Sequence, residues 1–362
     1  MNSSLKRSPI AFAVTAALAF GAVAAMPVAA QDSELTEVTM VLPWVIQGES
    51  AGHFVAVDQG YYEDAGLDVT IIPGGPDVNS RLLLTSGAAD FAVSSTPGII
   101  LARNQGVPLV GLWTQNQESG SGLVCKTETG IDSWDDLEGK KVGIWVGLGE
   151  PELYYAVESV GVSKEDVSWL PQKFSMIEFF EDKFDCASVT VWNELHVVTD
   201  EGLTMGEDFN FLKASDLGIF LSGDSGFTTE QMIAENPEIV QAFTDASLRG
   251  WKHALDFPED AVAATMNWAP DLDEQKQVYQ VEEVNRLMTS GAAADSGQIG
   301  TMTLEAFEAN QEALLQAGVL EAPIDLTAAF DTSFLENVPA EYTEIGDREA
   351  LLERIMENLG ES

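Results

Sequence analysis

Basic side chains are what this chain has least of. Its 362 residues hold 17 Lys and Arg against 59 Asp and Glu, a formal net charge of −42 at pH 7. A surface of that sign repels nucleic-acid phosphates and anionic lipid, which removes both from the candidate partners. The acidic residues are spread along every polar segment rather than gathered in one tail. That pattern marks a solvated surface of the kind suited to high salt, as in a halophilic protein, rather than one functional patch. Cysteine is almost missing as well. Cys125 and Cys186 each sit inside an apolar, strand-like run. An oxidising compartment would permit a bridge, but a buried free thiol is the ordinary outcome in such runs, and two buried thiols are expected. The three His lie at no ligand spacing from one another or from Cys, which argues against a zinc or iron site. No metal and no cofactor is expected.

Long hydrophobic runs are missing beyond the first thirty residues. There, Lys6 and Arg7 precede an apolar run from Ile10 to Ala25, and Val28, Ala29 and Ala30 supply small residues for cleavage before Gln31. The run is too short and too rich in Ala for a membrane anchor, so residues 1–30 are expected to be a secretory signal peptide cleaved near Ala30. The remaining chain exceeds the usual size of one core, and two domains are the default.

The organising stretch is Val38 to Ile72. Val38–Leu42 is a β-branched run stopped by Pro43, a buried strand. Ser50 is placed to cap a helix from about Ala51 to Asp64, and Gly66 ends it where a left-handed residue is wanted. Leu67–Ile72 is a second strand. Such βαβ units bind ligands beyond the carboxyl ends of their strands, where Trp44, Gln47 and Glu49 lie. The alternation continues through Phe91–Ser94, a helix capped by Ser95 and opened by Pro97, and a strand ending at Trp113. A polar stretch from Gln115 to Gly122 looks like a crossover. A second set of strands and helices follows, delivering Trp145, Glu150, Phe174, and the run Trp192, Asn193, Glu194. After Gly218 only long helices are expected. The layout is therefore an α/β fold of two hinged domains with parallel-rich sheets and a helical C-terminal tail: domain I from residues 31–120 and 219–362, domain II from 121–218.

The chemistry follows from the strand ends. Gly147-Leu148-Gly149-Glu150-Pro151 could cradle a phosphate, but Glu150 and Glu152 already occupy the positive end of that helix and no Lys or Arg follows. Ser94 and Ser95 are not in a nucleophile elbow, and no His is placed to activate them, so an enzyme is not expected. What remains are aromatics and carboxylates. Trp44, Trp113, Trp145, Phe174 and Trp192 can stack on a planar ring, while Gln47, Glu49, Ser94, Ser95, Glu150, Asn193 and Glu194 can bond its edge.

Several of these stretches also match a family pattern. Gly60-Tyr61-Tyr62-Glu63-Asp64-Ala65-Gly66-Leu67-Asp68-Val69, Ser86-Gly87-Ala88-Ala89-Asp90-Phe91 and Leu137-Glu138-Gly139-Lys140-Lys141-Val142-Gly143 resemble signatures of periplasmic substrate-binding proteins that feed ABC importers. Trp192-Asn193-Glu194 resembles the aromatic-Asn-Glu of the thiamine-precursor branch, and the likeness runs from about Val38 to Leu212. Trp44, Pro73-Gly74-Gly75-Pro76 and Gly149-Glu150-Pro151-Glu152 look most like the branch that takes riboflavin or pyrimidine precursors. The loop Gln47-Gly48-Glu49 departs from the pyrimidine pattern, and the Cys/His cluster of the related pyrimidine synthases is missing. The resemblance implies a type II hinged fold and a periplasmic, monomeric binder of a small planar heterocycle that serves an inner-membrane ABC permease. A binder of a small anion such as nitrate or an alkylsulfonate, or a periplasmic enzyme on the same scaffold, are the alternatives; the anion would want a base at the strand ends, where Arg81 alone is near.

Overall fold

The computed structural model describes residues 35–146, 150–219, 221 and 223–360. The expected signal peptide and the Gly147–Gly149 turn lie outside the described residues.

The first strand, β1 (Thr36–Val41), stops at Pro43 as its sequence dictates. After a 3₁₀ turn at Gly48–Ser50, helix α1 (Ala51–Asp58) begins, and Gly60, left-handed at φ 71°, breaks it from the short α2 (Tyr61–Asp64). The single helix expected from Ala51 to Asp64 is thus two, because only glycine accepts that turn readily. Then come β2 (Leu67–Ile72), α3 (Ser80–Thr85), β3 (Phe91–Ser95), α4 (Thr96–Asn104) and β4 (Leu109–Thr114). Ser95 caps α4 by accepting from the Gly98 N–H at 3.3 Å.

The chain now enters the second sheet with β5 (Ser121–Lys126), β6 (Lys141–Ile144), α5 (Glu150–Ser159), β7 (Ser168–Pro171), α6 (Ile177–Phe180), β8 (Cys186–Thr190), α7 (Glu194–Asp200) and β9 (Phe209–Lys213). It returns through β10 (Asp224–Thr229) and ends in helices α8 (Glu230–Glu235), α9 (Pro237–Asp256), α10 (Pro258–Trp268), α11 (Glu274–Met288), α12 (Gly291–Ser296), α13 (Leu304–Gln316), α14 (Ser333–Glu336) and α15 (Arg348–Leu359). Among the described residues no helix is long and apolar enough to cross a membrane.

The two five-stranded sheets have orders β2-β1-β3-β10-β4 and β7-β6-β8-β5-β9. In each, the strand that first follows a crossing runs antiparallel: β10 between β3 and β4, and β5 between β8 and β9. The sheets are mixed, and β10 corrects the expectation that only helices follow Gly218. Its sequence, Asp-Ser-Gly-Phe-Thr-Thr, lacks an apolar run, yet Ser225 to Thr228 are buried between two neighbours. Gly226 is required there, because an added Cβ would lie 2.2 Å from the Trp113 ring.

The second correction concerns the cysteines. Cys125 on β5 and Cys186 on β8 face each other in register and form a disulfide, rather than two buried thiols. The local runs give burial correctly but say nothing of which strands become neighbours. Both residues are fully buried.

The largest core packs β1, β2 and β3 against α1, α9, α10, α11 and α15. The second sheet is covered by two smaller clusters, one on each face.

Candidate functional site

The ends of β1 and β8 carry the side chains that bring the two sheets together. Beyond β1, the chain turns at Gln47–Glu49 and is pinned from behind by α11. The Gly48 N–H donates to the side-chain oxygens of Gln277 (2.8 Å) and Gln280 (3.0 Å), and Gln280 Nε2 donates to Gln47 Oε1 at 3.2 Å. Gln115, on the segment leaving the first sheet, donates Nε2 to the Glu49 carbonyl at 3.1 Å. These bonds turn the Glu49 side chain toward the second sheet. Its Oε2 accepts from Gln47 Nε2 and from Trp192 Nε1, both at 2.8 Å.

Trp192 follows β8, so this bond spans the two sheets. The indole lies over Gly120, where an added Cβ would come within 2.2 Å of the ring. Buried, with Asp224 and Glu194 adding repulsion, Glu49 has its pKa raised to about 8. At neutral pH its carboxyl keeps a proton.

Glu194 behaves differently. Its Oε2 accepts from the Thr190 N–H (3.1 Å) and hydroxyl (2.9 Å), and its Oε1 from Asn193 Nδ2 (2.6 Å). It closes its own turn at the start of α7. Asn193 Oδ1 is buried, with no hydrogen-bond partner among the described residues.

A second bridge between the sheets is aromatic. Trp44 meets Phe174 with ring centroids 4.8 Å apart, and Phe174 stacks on Trp145 at 6.3 Å. Phe174 is 48% exposed, and Val45, Val146 and Ile177 beside these rings in sequence are exposed too. Trp145 and Glu150 also line a small depression with Ser121, Gly122, Leu153, Ser188 and Val189.

Two of the expected contacts are engaged elsewhere. Trp113 is 1% exposed in the first core, against His53 and Phe243. It leaves the cleft because β10, unforeseen from sequence, covers that side of β4. Ser95 is spent as the α4 cap, and Ser94 stands opposite Ser225 of β10. His53 is fully buried because α1 is packed by both α9 and α10. It hydrogen-bonds the Tyr62 hydroxyl at 3.1 Å, and burial drops its pKa to about 3.

Sequence reasoning missed Gln277, Gln280, Gln115, Asp224 and Glu152. Gln277 and Gln280 recur at i, i+3 on the buried side of α11, a polar pair where the helical period demands apolar residues, and that was a visible signal. Glu152 accepts from Ser119 Oγ at 2.6 Å, and burial raises its pKa to about 7. Asp224, at the start of β10, is raised by desolvation to about 6. Ser119 lies on one segment joining the sheets, and Asp224 opens β10 at the end of the other. Those segments bond each other: Gln115 N–H donates to the Asp224 carbonyl at 2.8 Å, and Gly223 N–H to that of Asn116 at 2.8 Å. Among the described residues no group of three or more His, Cys, Asp or Glu could hold a metal ion.

The chain has relatives among known proteins. The chain is 31% identical over 316 residues to the riboflavin-binding protein RibY of Chloroflexus aurantiacus, covering 83% of this chain and 86% of that one. It is 26% identical to the formylaminopyrimidine-binding protein of Halalkalibacterium halodurans, covering 84% and 92%. More distant relatives are named 4-amino-5-hydroxymethyl-2-methylpyrimidine phosphate synthase. The architecture is that of solved binding proteins. The periplasmic aliphatic sulphonate binding protein SsuA of Escherichia coli superposes with a TM-score of 0.64 at 14% identity, covering 81% of this chain and 91% of that one. The model of the family described as NMT1/THI5 like matches residues 47–261, and with the similarity to RibY it places the chain: it belongs to the NMT1/THI5-like family.

Proposed function

We propose that this protein captures a small planar heterocycle in the periplasm and delivers it to an ABC permease of the inner membrane, with riboflavin the first candidate and a thiamine-type pyrimidine the second. The observation that carries the reading is the Trp192–Glu49 hydrogen bond between the two sheets. A group from each sheet meets at one point, which is what a pocket that forms by closure requires. Residues 31–120 with 219–362 would be one lobe and 121–218 the other, turning about the paired segments at Gln115–Asn116 and Gly223–Asp224. The ligand then favours the closed state only by the extra contacts it makes there. Trp44, Phe174 and Trp145 would supply ring faces, and Gln47, Glu49, Asn193 and Glu194 the polar edge.

The names of the two binding-protein relatives support this ligand class. The synthase names raise the enzyme reading. Against it stand the disulfide, which occupies both cysteines, and the three His, which sit in α1, α7 and α9 with Tyr62, Tyr279 and Tyr61 as neighbours. An anion site fits poorly with a carboxyl cluster of Glu49, Asp224 and Glu194.

The test is a calorimetric screen of riboflavin, an aminopyrimidine, nitrate and taurine. Heat of binding with either heterocycle is expected. Tight binding of nitrate or taurine with no response to a ring would sink the reading.

A further inference from the structure

Glu49 is wired on one oxygen only. Oε2 takes both N–H donors, from Gln47 and Trp192, while among the described residues no hydrogen bond reaches Oε1. The groups that act on the carboxyl come from its own turn, the segment beyond β8, β10 and α7; α1, with His53, and α10 also pack on that turn, and no group of theirs is among those acting on it. Its own turn contributes Gln47, and α11 holds that turn through Gln277 and Gln280. The segment beyond β8 contributes Trp192, while β10 and α7 contribute Asp224 and Glu194. None of the groups acting on it is a cation. An ionised carboxylate buried at 7% exposure beside two more acids has only the two N–H donors on Oε2, and no cation, to set against its desolvation. It therefore keeps its proton at neutral pH, consistent with a pKa near 8. An oxygen that already accepts two N–H bonds is the acceptor end of the group, so the proton belongs on Oε1.

We propose that Glu49 is a specificity-determining residue that meets the ligand as a hydrogen-bond donor, its Oε1–H bonding a carbonyl oxygen or unprotonated ring nitrogen. This rests on the binding function proposed above and narrows it. The site takes heterocycles whose polar edge carries an acceptor and discriminates against rings that present only N–H groups there. Ionising the carboxyl removes the Oε1–H and with it the ligand contact, while the Trp192 N–H, a donor, stays bonded to Oε2 on either side of the titration. The two carboxyl oxygens thus have separate tasks: Oε2 joins the sheets and Oε1 reads the ring.

The experiment measures riboflavin affinity of the full chain by fluorescence quenching at pH 6, 7, 8 and 9, in the wild type and in Glu49→Gln and Glu49→Leu. Wild-type affinity is expected to hold up to about pH 7 and to fall by about tenfold for each pH unit above 8. Glu49→Gln carries an amide N–H that does not titrate, so its affinities at pH 6 and pH 9 should agree within about twofold. Glu49→Leu should lose about a hundredfold at pH 6. An acceptor role for Glu49 predicts the reverse, affinity constant or rising with pH, and that result overturns the proposal, as does a Glu49→Gln variant that keeps the wild-type slope. Infrared difference spectra of the ligand-free protein separate the two levels of failure. If the protonated-carboxyl band that Glu49→Gln removes is absent at pH 7 while riboflavin binds, only this inference fails. If the band is present and neither riboflavin nor an aminopyrimidine binds at pH 6, the binding function fails and takes the contact with it.

Discussion

The two sheets share a strand order but are held together differently. The first is backed by a broad core in which α1 is enclosed by α9 and α10, with Phe54, Phe243 and Trp251 fully or almost fully buried. The second has thinner clusters on its faces and carries the disulfide between β5 and β8. The carboxylates beyond the strands follow the same divide. Glu49, supported by α11 from behind, reaches across to Trp192. Glu194 has no such support and satisfies its own turn. The side chain committed to the far sheet is thus the one whose own turn is pinned by a helix from behind.

The largest effect that would sharpen this contrast is covalent. Replacing Cys125 and Cys186 by Ala removes a cross-link that closes a loop of 61 residues, and it should cost about 2–4 kcal/mol of stability. The loss should be local. Hydrogen exchange is expected to rise in β5 and β8 while β1 and β3 stay protected. Equal loss of protection in both sheets would mean that the second sheet does not depend on the bond in the way its thin core implies.

Trp192→Ala comes next. It removes the hydrogen bond between the sheets and the ring that lies over Gly120. A hydrogen bond to a neutral carboxyl contributes about 0.5–1.5 kcal/mol, so ligand affinity should fall by up to roughly tenfold. Small-angle scattering with ligand present should also give a larger radius than the wild type. A variant as compact and as tight-binding as the wild type would place the ring in a packing role alone.

Much of the fold was legible because punctuation and period agree. Pro43 ends β1, Gly66 at φ 80° ends the first helical segment, Ser95 and Pro97 open α4, and Asn236-Pro237 opens α9. β10 was not legible: a buried strand written with Ser, Gly and Thr shows neither an apolar run nor alternation, and its glycine answers to a Trp on another strand. Trp113 was misjudged for the same reason. Of the candidate site, the residue types beyond β1 and β8 were visible, but their partners were not. Gln277 and Gln280 lie some 230 residues from Gly48, and that separation is a property of the fold. The disulfide likewise needed the register of β5 on β8.

A smaller effect tests the Glu194 half of the comparison. Glu194→Gln keeps the shape but weakens three hydrogen bonds within the turn from Thr190 to Glu194. A cost of about 1 kcal/mol in unfolding free energy is expected. If the carboxylate also meets the ligand, affinity should fall as well, though by less than in Trp192→Ala. Calorimetry and urea unfolding on the same variant separate the two contributions. Unchanged stability with a large loss of affinity would reverse the contrast, making Glu194 the committed ligand group.

The smallest effect concerns the segments between the sheets. Glu152 reaches from α5 to Ser119, and burial lifts its pKa from 4.5 to about 7 in the folded protein. Between those values the folded state holds more protons than the unfolded state, so stability is full below pH 4.5 and is lost as pH rises through 7. Glu49 and Asp224 add to the same trend, with pKa values near 8 and 6. Wild-type unfolding free energy from urea titrations at pH 5, 6.5 and 8 should therefore decline steadily. Glu152→Gln keeps an oxygen for the Ser119 hydroxyl but cannot ionise, so its decline should be shallower by about 1 kcal/mol over that range. Asp224→Asn should flatten the lower part of the curve, since Asp224 titrates at the lower pH. Parallel curves for the wild type and Glu152→Gln would mean that Glu152 is solvated in solution, and the junction between the sheets looser than the Ser119 bond implies.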